Sequence, residues 1–180
     1  MSVAAGPDAA MALVDAAVPA GLPDTRGGAG IPVPKMREKA LAAAQGFIGT
    51  PYRHQGSRRG VGCDCLGLVR GVWRALYGDE PEAPGPYTPD WAERGGGEPL
   101  LDAARRHMPE IAVADALPGD LLLFRWHSQA AAKHCGILDE GGRLAEGGRV
   151  IHAYEGHAVL SSPLGAAWIR RIAAAFRFPE

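Results

Sequence analysis

The chain has 180 residues, of which 47% are hydrophobic and 22% are charged, and this length and composition are typical of one soluble globular domain. The formal net charge of -1 at pH 7 gives no bulk attraction to nucleic acid or to anionic lipid, so neither is expected as a partner. No apolar run approaches the roughly 20 residues of a membrane-spanning helix, and the first residues lack the basic segment and apolar stretch of a secretory signal peptide.

Residues 1–34 differ in composition from the rest of the chain. They consist largely of alanine, glycine and proline, with few large apolar side chains. Such a segment buries too little surface to offset the entropy that it would lose on ordering. We therefore expect a flexible tail or linker over residues 1–34 and a folded domain over residues 35–180.

The first part of the folded domain is predicted to be helical. Apolar residues at helical spacing and strong helix formers indicate helices over Lys35–Ile48, Cys65–Tyr77 and Pro99–Met108. Asp64 is a suitable N-cap for the second helix, and Gly78 is a suitable end for it. The stretches 52–62 and 79–97 are predicted to be irregular, with at most a short helical turn at 90–93.

The second part of the domain is predicted to form strands. Short apolar or alternating runs indicate strands over Leu121–Phe124, His134–Leu138, Val150–Tyr154, Ala158–Ser161 and Trp168–Phe178. A hairpin over 139–149, whose tip contains the repeated sequence Glu-Gly-Gly-Arg, joins the second and third strands. Helices followed by strands predict an α+β fold with an antiparallel sheet.

The stretch Gly62–Val69 places a cysteine where a loop becomes a helix. A helix N-terminus favours negative charge, so the thiol of Cys65 should have a lowered pKa and react as a thiolate. Cys63 is the rival nucleophile, but it lies before the helix and gains less from the helix dipole. The chain has three cysteines, which cannot all pair with one another, and their spacing is not that of a disulfide framework.

Two histidines supply what a nucleophilic thiol needs, namely a base and a group that orients the base. His134 and His152 lie on two predicted strands that one hairpin joins. Their numbers have the same parity, so a hairpin with an odd-length tip puts both side chains on one face of the sheet. Packing the end of the Cys65 helix against that face would bring nucleophile, base and orienting group together.

A metal site is the alternative use of the cysteines. Cys63, Cys65, Cys135 and one histidine offer ligands for zinc, but a Cys-x-Cys pair with one distant cysteine lacks the usual paired spacing. Cys135 alternates with His134 along its strand, so its side chain should face the core. We therefore expect neither a metal ion nor another cofactor.

Five short motifs resemble, in order, those of the NlpC family of papain-like cell-wall peptidases. They are Thr50-Pro51-Tyr52, Asp64-Cys65-Leu66-Gly67-Leu68-Val69, Pro118-Gly119-Asp120-Leu121, His134-Cys135-Gly136-Ile137 and Ile151-His152-Ala153. One such motif is a weak signal, whereas five in family order over residues 40–178 are a strong one.

The resemblance implies a papain-like α+β core and a set of roles. Cys65 would be the nucleophile, His134 the base and His152 the third polar residue of the catalytic set. Tyr52 would line the substrate cleft, and Asp64 would buttress the site next to bound substrate. The implied reaction is hydrolysis of peptidoglycan stem peptides, commonly at the bond from a γ-D-glutamyl residue to a diamino acid.

Several positions depart from the family pattern. Leu66 replaces a common serine, Gln55 stands where the first glycine of a pair is frequent, and Cys63 replaces an aromatic or small residue. The segment 79–118 is long, and the chain ends in Phe176–Pro179 and one further residue. Together these features resemble the branch found in phage tails and gene-transfer particles. That branch would explain synthesis in the cytoplasm without a signal peptide and delivery to the cell wall by a particle.

Two other functions suit the same fold. A non-catalytic structural or wall-binding tail component is one, although such a module has no need of the Cys, His, His set. An amidase or acyltransferase that uses the thiol on another carbonyl is the other. The sequence does not separate this possibility from peptidase activity, because the shape of the cleft selects the acyl donor.

Overall fold

The computed structural model describes residues 35–88, 97–141, 144 and 147–180. Its helices are α1 Met36–Gln45, α2 Cys65–Tyr77, α3 Pro99–His107 and α4 Ala166–Ile169, with a 3₁₀ turn at Val113–Asp115. Its strands are β1 Ser57–Arg58, β2 Gly62–Cys63, β3 Glu110–Ile111, β4 Leu121–Phe124, β5 His134–Asp139, β6 Arg149–Ala153, β7 Val159–Pro163 and β8 Ile172–Phe176. The predicted tail, the predicted turn at 90–93 and part of the Glu-Gly-Gly-Arg repeat lie outside the described residues.

An antiparallel sheet of six strands, in the order β3-β8-β4-β5-β6-β7, forms the centre of the described fold. Within it β5 and β6 pair as a hairpin, with Asp139 opposite Arg149. Helices α1 to α3 precede β4 to β8 in the chain. The predicted α+β fold with an antiparallel sheet is therefore confirmed.

Two predicted elements differ from the structure. The segment 52–62, predicted as a loop, contains the short β1–β2 hairpin, and strands of two residues are too short to show alternation in a sequence. The predicted last strand, Trp168–Phe178, is split into α4 and β8. A turn after α4 redirects the chain, so that the carbonyl of Arg171 accepts a hydrogen bond from the Arg125 amide at 2.9 Å and β8 pairs with β4.

Apolar side chains cover both faces of the sheet. Along β4, Leu121 and Leu123 belong to the larger core cluster beneath α1, α2 and α3, whereas Leu122 and Phe124 belong to a second cluster on the other face. The alternation follows from the two-residue period of a strand. Because both faces are covered, β4 is a continuous apolar run, which is why its bounds were predictable.

The helices of the described residues are short. The longest, α2, has 13 residues, and none of the helices in the described ranges is long and apolar enough to cross a membrane.

Candidate active site

The N-terminus of α2 is held in place by its cap and by a close contact with the preceding loop. The Asp64 carboxylate accepts a hydrogen bond from the Gly67 amide at 2.8 Å, as the sequence predicted for an N-cap. A Cβ on Gly67 would lie 1.7 Å from the carbonyl oxygen of Gly56. Glycine at position 67 therefore lets the loop approach the first helical turn, and this approach fixes where the helix begins.

Cys65, the first residue of α2, lines a cleft of about 630 Å³. Cys65 is partly exposed, whereas Cys63 and Cys135 are buried. The Sγ atom lies 4.0 Å from the carbonyl oxygen of Lys133, at the start of β5. Of the three cysteines, Cys65 is therefore the one whose thiol a substrate in this cleft can reach.

The buried Cys135 contacts Cys65 directly. Its Sγ atom lies 3.2 Å from the Cys65 carbonyl oxygen, and rotation of the S–H bond also brings the proton toward the Cys65 sulfur. The Cys135 thiol, followed by the His134 imidazole, lowers the pKa of Cys65 well below its usual value despite burial, while the pKa of Cys135 is raised well above its usual value. Cys135 therefore keeps its proton and supports a thiolate on Cys65, a role that its predicted position in the core did not suggest.

Cys63 is unsuited to be the nucleophile. It lies in β2 with no exposed surface, and burial, followed by the nearby charges of Asp64 and Cys65, raises its pKa to about 12. A thiol with such a pKa stays protonated at neutral pH. The geometry supports the sequence-based preference for Cys65.

His134 and His152 lie on one face of the sheet, as their parity predicted. Leu138 of β5 pairs with Val150 of β6, and this register places the two histidines diagonally across the hairpin. The Nε2 atom of His134 is 2.9 Å from Nδ1 of His152. Because Nε2 of His134 is used in this pair, Nδ1 is the atom left to interact with the thiol.

The sequence predicted that α2 packs against the face of the sheet that carries His134 and His152. In the structure α2 packs against the other face. Cys135, which alternates with His134, belongs to the core on the helical face and contacts Cys65. The thiol lies 4.0 Å from the Lys133 carbonyl oxygen and interacts with His134 at the start of β5. The prediction failed because it placed every member of the site above one face, whereas a residue at a strand end is accessible from the edge.

Both ring nitrogens of His152 have a partner. Its Nδ1 atom is 2.9 Å from Nε2 of His134, and its Nε2 atom is 3.0 Å from Oγ of Ser162. Burial, and secondarily the charge of His134, lowers the pKa of His152 to about 4. His152 is therefore neutral near pH 7, and a neutral ring nitrogen can accept a hydrogen bond from His134 while the ring itself stays uncharged.

Four aromatic rings surround the histidine pair, and one of them, Tyr154, lies 5.7 Å from His152 between ring centroids. The ring of Trp126 stacks on His134 with centroids 5.9 Å apart and an interplanar angle of 23°. Trp168 lies 5.8 Å from His134 and 5.3 Å from His152, and Phe124 lies 5.9 Å from His134. These contacts restrict both imidazoles and limit the access of water to the pair.

A second wall of the cleft is built around Asp64. Its carboxylate accepts hydrogen bonds from the amide of Gln55 at 2.6 Å and from the hydroxyl of Tyr87 at 2.7 Å, and it lies 3.5 Å from Nδ1 of His54. Burial and the bond to Asp64 raise the pKa of Tyr87. Asp64 lines the cleft but is 2% exposed, so its observed contacts are those of a buttress, and its contact with substrate stays a prediction.

Tyr52 lines the cleft near the thiol, where the sequence predicted it. Burial, then the charges of Glu155, Cys65 and Asp64, raises its pKa to about 12. The hydroxyl therefore keeps its proton at neutral pH and is available as a hydrogen-bond donor toward the cleft.

Gln55 is the single non-glycine residue with positive φ, at 60°, within the described ranges. Its amide bonds Asp64, and its side-chain amide donates to the Tyr87 carbonyl at 2.7 Å. This is the position where the family often has glycine, which adopts positive φ without strain. The side chain compensates for the less favourable backbone by anchoring the segment that carries Tyr87.

Sequence reasoning missed several residues of the site. They are His54, Tyr87, Trp126, Glu155, Ser162, Trp168 and Arg171, and the site also uses Cys135 in an unforeseen way. Parity could have identified Ser162, which shares a face with His152, but the predicted strand over Ala158–Ser161 stopped one residue early. The others come from irregular or mispredicted segments and carry no local signal. Within the described residues no group of three or more His, Cys, Asp or Glu side chains could hold a metal ion.

The structure resembles two solved proteins whose descriptions name the NlpC/P60 family or domain. It matches a protein of Staphylococcus aureus subsp. aureus Mu50, described as similar to lipoprotein and of the NLP/P60 family, with a TM-score of 0.53 and 22% identity over 81% of this chain and 42% of that chain. It also matches the NlpC/p60 domain of the peptidoglycan hydrolase SagA, with a TM-score of 0.50 and 27% identity over 79% of this chain and 98% of that domain. The chain thus spans less than half of the length of the staphylococcal protein.

The family comparison agrees with the structural one. No curated protein is significantly similar to the chain. The sequence profile of the NlpC/P60 family, however, matches residues 49–177, which include Tyr52, Cys65, His134 and His152. The predicted resemblance is confirmed at the level of the family. With most of its length matched, the chain belongs to the NlpC/P60 family.

Proposed function

We propose that this protein is a cysteine peptidase that hydrolyses the stem peptides of peptidoglycan, with Cys65 as nucleophile, His134 as base and His152 as orienting residue. The observation that carries the proposal is the pair of contacts from His134 to His152 and from His152 to Ser162, beside a thiol whose pKa is lowered by Cys135 and His134. If Cys65 served only in packing, neither a base beside it nor a second histidine that orients this base would be required. The presence of both His134 and His152 therefore supports catalysis.

The geometry supports acyl transfer through a thioester. The Cys65 thiolate attacks the scissile carbonyl, and the negative charge moves to the carbonyl oxygen. The amide of Cys65 is among the first N–H groups of α2, which have no acceptor within the helix, and it is placed to stabilise this oxyanion. His134 donates its proton to the leaving amine as the C–N bond breaks. Water, deprotonated by His134, then hydrolyses the thioester and regenerates the thiol.

The bond from γ-D-glutamyl to a diamino acid is the proposed point of cleavage. The order of motifs in the sequence implies it, and the similarity to a domain of a peptidoglycan hydrolase supports a substrate of this class. The open cleft beside Cys65, lined by both charged and aromatic side chains, suits a branched peptide with carboxyl and amino groups.

A phage tail or gene-transfer particle is the proposed carrier of the enzyme to the cell wall. The basis is the sequence alone, namely Leu66, Gln55, the long segment 79–118 and the C-terminal Phe176–Pro179. Purified particles that contain the chain in fixed stoichiometry would support this proposal. Finding the chain secreted on its own and absent from particles would contradict it.

Digestion of purified peptidoglycan tests the proposed reaction. Wild type should release peptides with a new amino terminus on the diamino acid, identified by mass spectrometry, whereas Cys65→Ala should release none. Cys63→Ala is the matched control and should keep most of the activity. Products cut at the bond between sugar and L-alanine would indicate an amidase instead, and a folded wild type that binds peptidoglycan without any product would indicate a binding module.

A further inference from the structure

The cleft beside Cys65 carries opposite charges in two places. Lys133 and Arg171 line it together with Trp126 and Trp168, whereas Glu155 lies near Tyr52 and influences the titration of that hydroxyl. Nothing in the proposed acyl transfer uses either charged group. Cations that line a substrate cleft attract negatively charged groups, so we expect these side chains to recognise a charged part of the substrate.

Arg171 is held close to the catalytic base. Its backbone is fixed in the turn after α4, where its amide bonds the Trp168 carbonyl at 3.0 Å and its carbonyl bonds the Arg125 amide at 2.9 Å. Its guanidinium carbon lies 5.2 Å from the ring centroid of Trp126, which in turn stacks on His134. The guanidinium and the imidazole that we propose acts on the scissile bond therefore contact the same aromatic ring.

The guanidinium of Arg171 has no carboxylate partner among the residues that the structure describes. Six other arginines form ion pairs with carboxylates, namely Arg70, Arg74, Arg105, Arg106, Arg125 and Arg177. None of these six lines the cleft. The arginine nearest to the site thus differs from them in leaving its hydrogen-bond donors available to a ligand.

We propose that Arg171, in the cleft that Lys133 also lines, binds a free carboxylate on the acyl half of the substrate, so that the enzyme selects acidic γ-glutamyl donors over amidated ones. The inference rests on the proposed peptidase function and adds a substrate class to it. In a γ-glutamyl peptide the α-carboxylate is a few bonds from the scissile carbonyl, which suits a cation that contacts the same aromatic ring as His134. A planar guanidinium binds a carboxylate through two parallel hydrogen bonds, and it cannot do so with a carboxamide.

Two peptides that differ in one group test this selection. Both contain L-alanine, a γ-linked D-glutamyl residue and a diamino acid, and the α-carboxyl of the glutamyl residue is free in one and amidated in the other. Wild type should cleave the acid with the higher kcat/KM, and added salt should reduce the preference. Arg171→Gln should lower kcat/KM for the acid about tenfold through KM and leave the amide within about twofold. Arg171→Lys should keep part of the preference.

Arg170→Gln is the matched control, because Arg170 is the adjacent residue, is exposed and does not line the cleft. This variant loses the same charge and should behave as wild type on both peptides. An equal loss on both peptides in Arg171→Gln would overturn the proposal, since it would show that Arg171 only supports Trp126 and His134. Equal cleavage of both peptides by wild type would overturn it as well.

Binding separates this inference from the proposed reaction. Cys65→Ala should bind the acid more tightly than the amide by calorimetry, and Cys65→Ala with Arg171→Gln should lose that difference. If wild type cleaves neither peptide but Cys65→Ala retains the binding preference, the proposed reaction fails and the carboxylate site stands. If cleavage occurs and the binding preference is absent, the carboxylate site fails and the reaction stands.

Discussion

Two cavities of similar size flank the first turn of α2, and they differ in chemistry. One is the cleft of about 630 Å³ beside Cys65, which contains titratable and aromatic side chains. The other, of about 560 Å³, lies between α2, α3 and the segment 80–88 and is lined largely by apolar residues such as Leu66, Leu100 and Met108. The volumes of the two cavities do not show which one is the catalytic site. The thiol, the base and the orienting group that line the cleft beside Cys65 distinguish it from the apolar cavity.

The comparison also explains one departure from the family pattern. Cys65 and Leu66 are consecutive, but successive residues of a helix point about 100° apart, and the two side chains line different cavities. Leucine in place of the common serine therefore changes the apolar cavity rather than the surroundings of the thiol. We infer that this substitution leaves the catalytic groups intact.

The largest expected effect is on kcat, and it follows from a substitution in the cleft beside Cys65. Replacing His134 with glutamine should lower kcat by about 10²- to 10⁴-fold, because the variant has neither a base for the thiol nor an acid for the leaving amine. The measurement is steady-state hydrolysis of a stem peptide. His157→Gln is the control, since His157 is exposed and does not line the cleft. Comparable losses in the two variants would argue against a specific role for His134.

The buried histidine of the same cleft should make stability depend on pH. The pKa of His152 is about 4 in the folded chain and about 6.5 when unfolded. Between these values the unfolded state binds the extra proton, so the free energy of unfolding falls as pH is lowered from 6.5 to 4. The loss attributable to His152 is about 3 kcal/mol.

Urea unfolding of wild type and His152→Asn across this pH range measures that loss. The difference in the free energy of unfolding between the two proteins should shrink or reverse as the pH falls. Parallel curves for the two proteins would show that His152 titrates normally in the folded chain.

Changes in the apolar cavity should affect stability and leave the chemistry unchanged. Leu100 is 6% exposed and lines that cavity. Leu100→Ala should reduce the free energy of unfolding by about 2 kcal/mol, at the low end for such truncations because the site is already partly open. It should leave kcat within about twofold. A large decrease in kcat for correctly folded Leu100→Ala would mean that the two cavities are coupled.

Cys135 lies between the two cavities and sharpens the comparison. It contacts Cys65 on one side and lines the apolar cavity on the other. Cys135→Val removes the S–H donor and should raise the pKa of Cys65. The acid limb of the kcat/KM profile should therefore move to higher pH, with little change at alkaline pH. An unmoved limb would show that the Cys135 thiol does not stabilise the thiolate.

Local pattern predicted some elements well and others poorly. The bounds of α2 and β4 were predicted correctly because an apolar stripe between Asp64 and Gly78, and a buried run after a turn, are strong local signals. The pairing of His134 with His152 was predicted from strand parity. Tyr87 and Trp168 reach the cleft through tertiary contacts of irregular segments, and no periodicity in the sequence records such contacts. The domain boundary near residue 35 stays a prediction.

The separation of the catalytic groups along the chain has a consequence for biosynthesis. Cys65 and Cys135 are 70 positions apart, and His134 precedes Cys135 directly, so the groups that lower the pKa of the thiol are translated long after it. Contacts of such long range form late in folding. Until β5, β6 and β7 have paired, the thiol has the ordinary pKa of about 8.5 and no neighbouring base. The nascent chain is therefore inactive through its topology alone, and peptidase activity should appear in one step with the formation of the sheet.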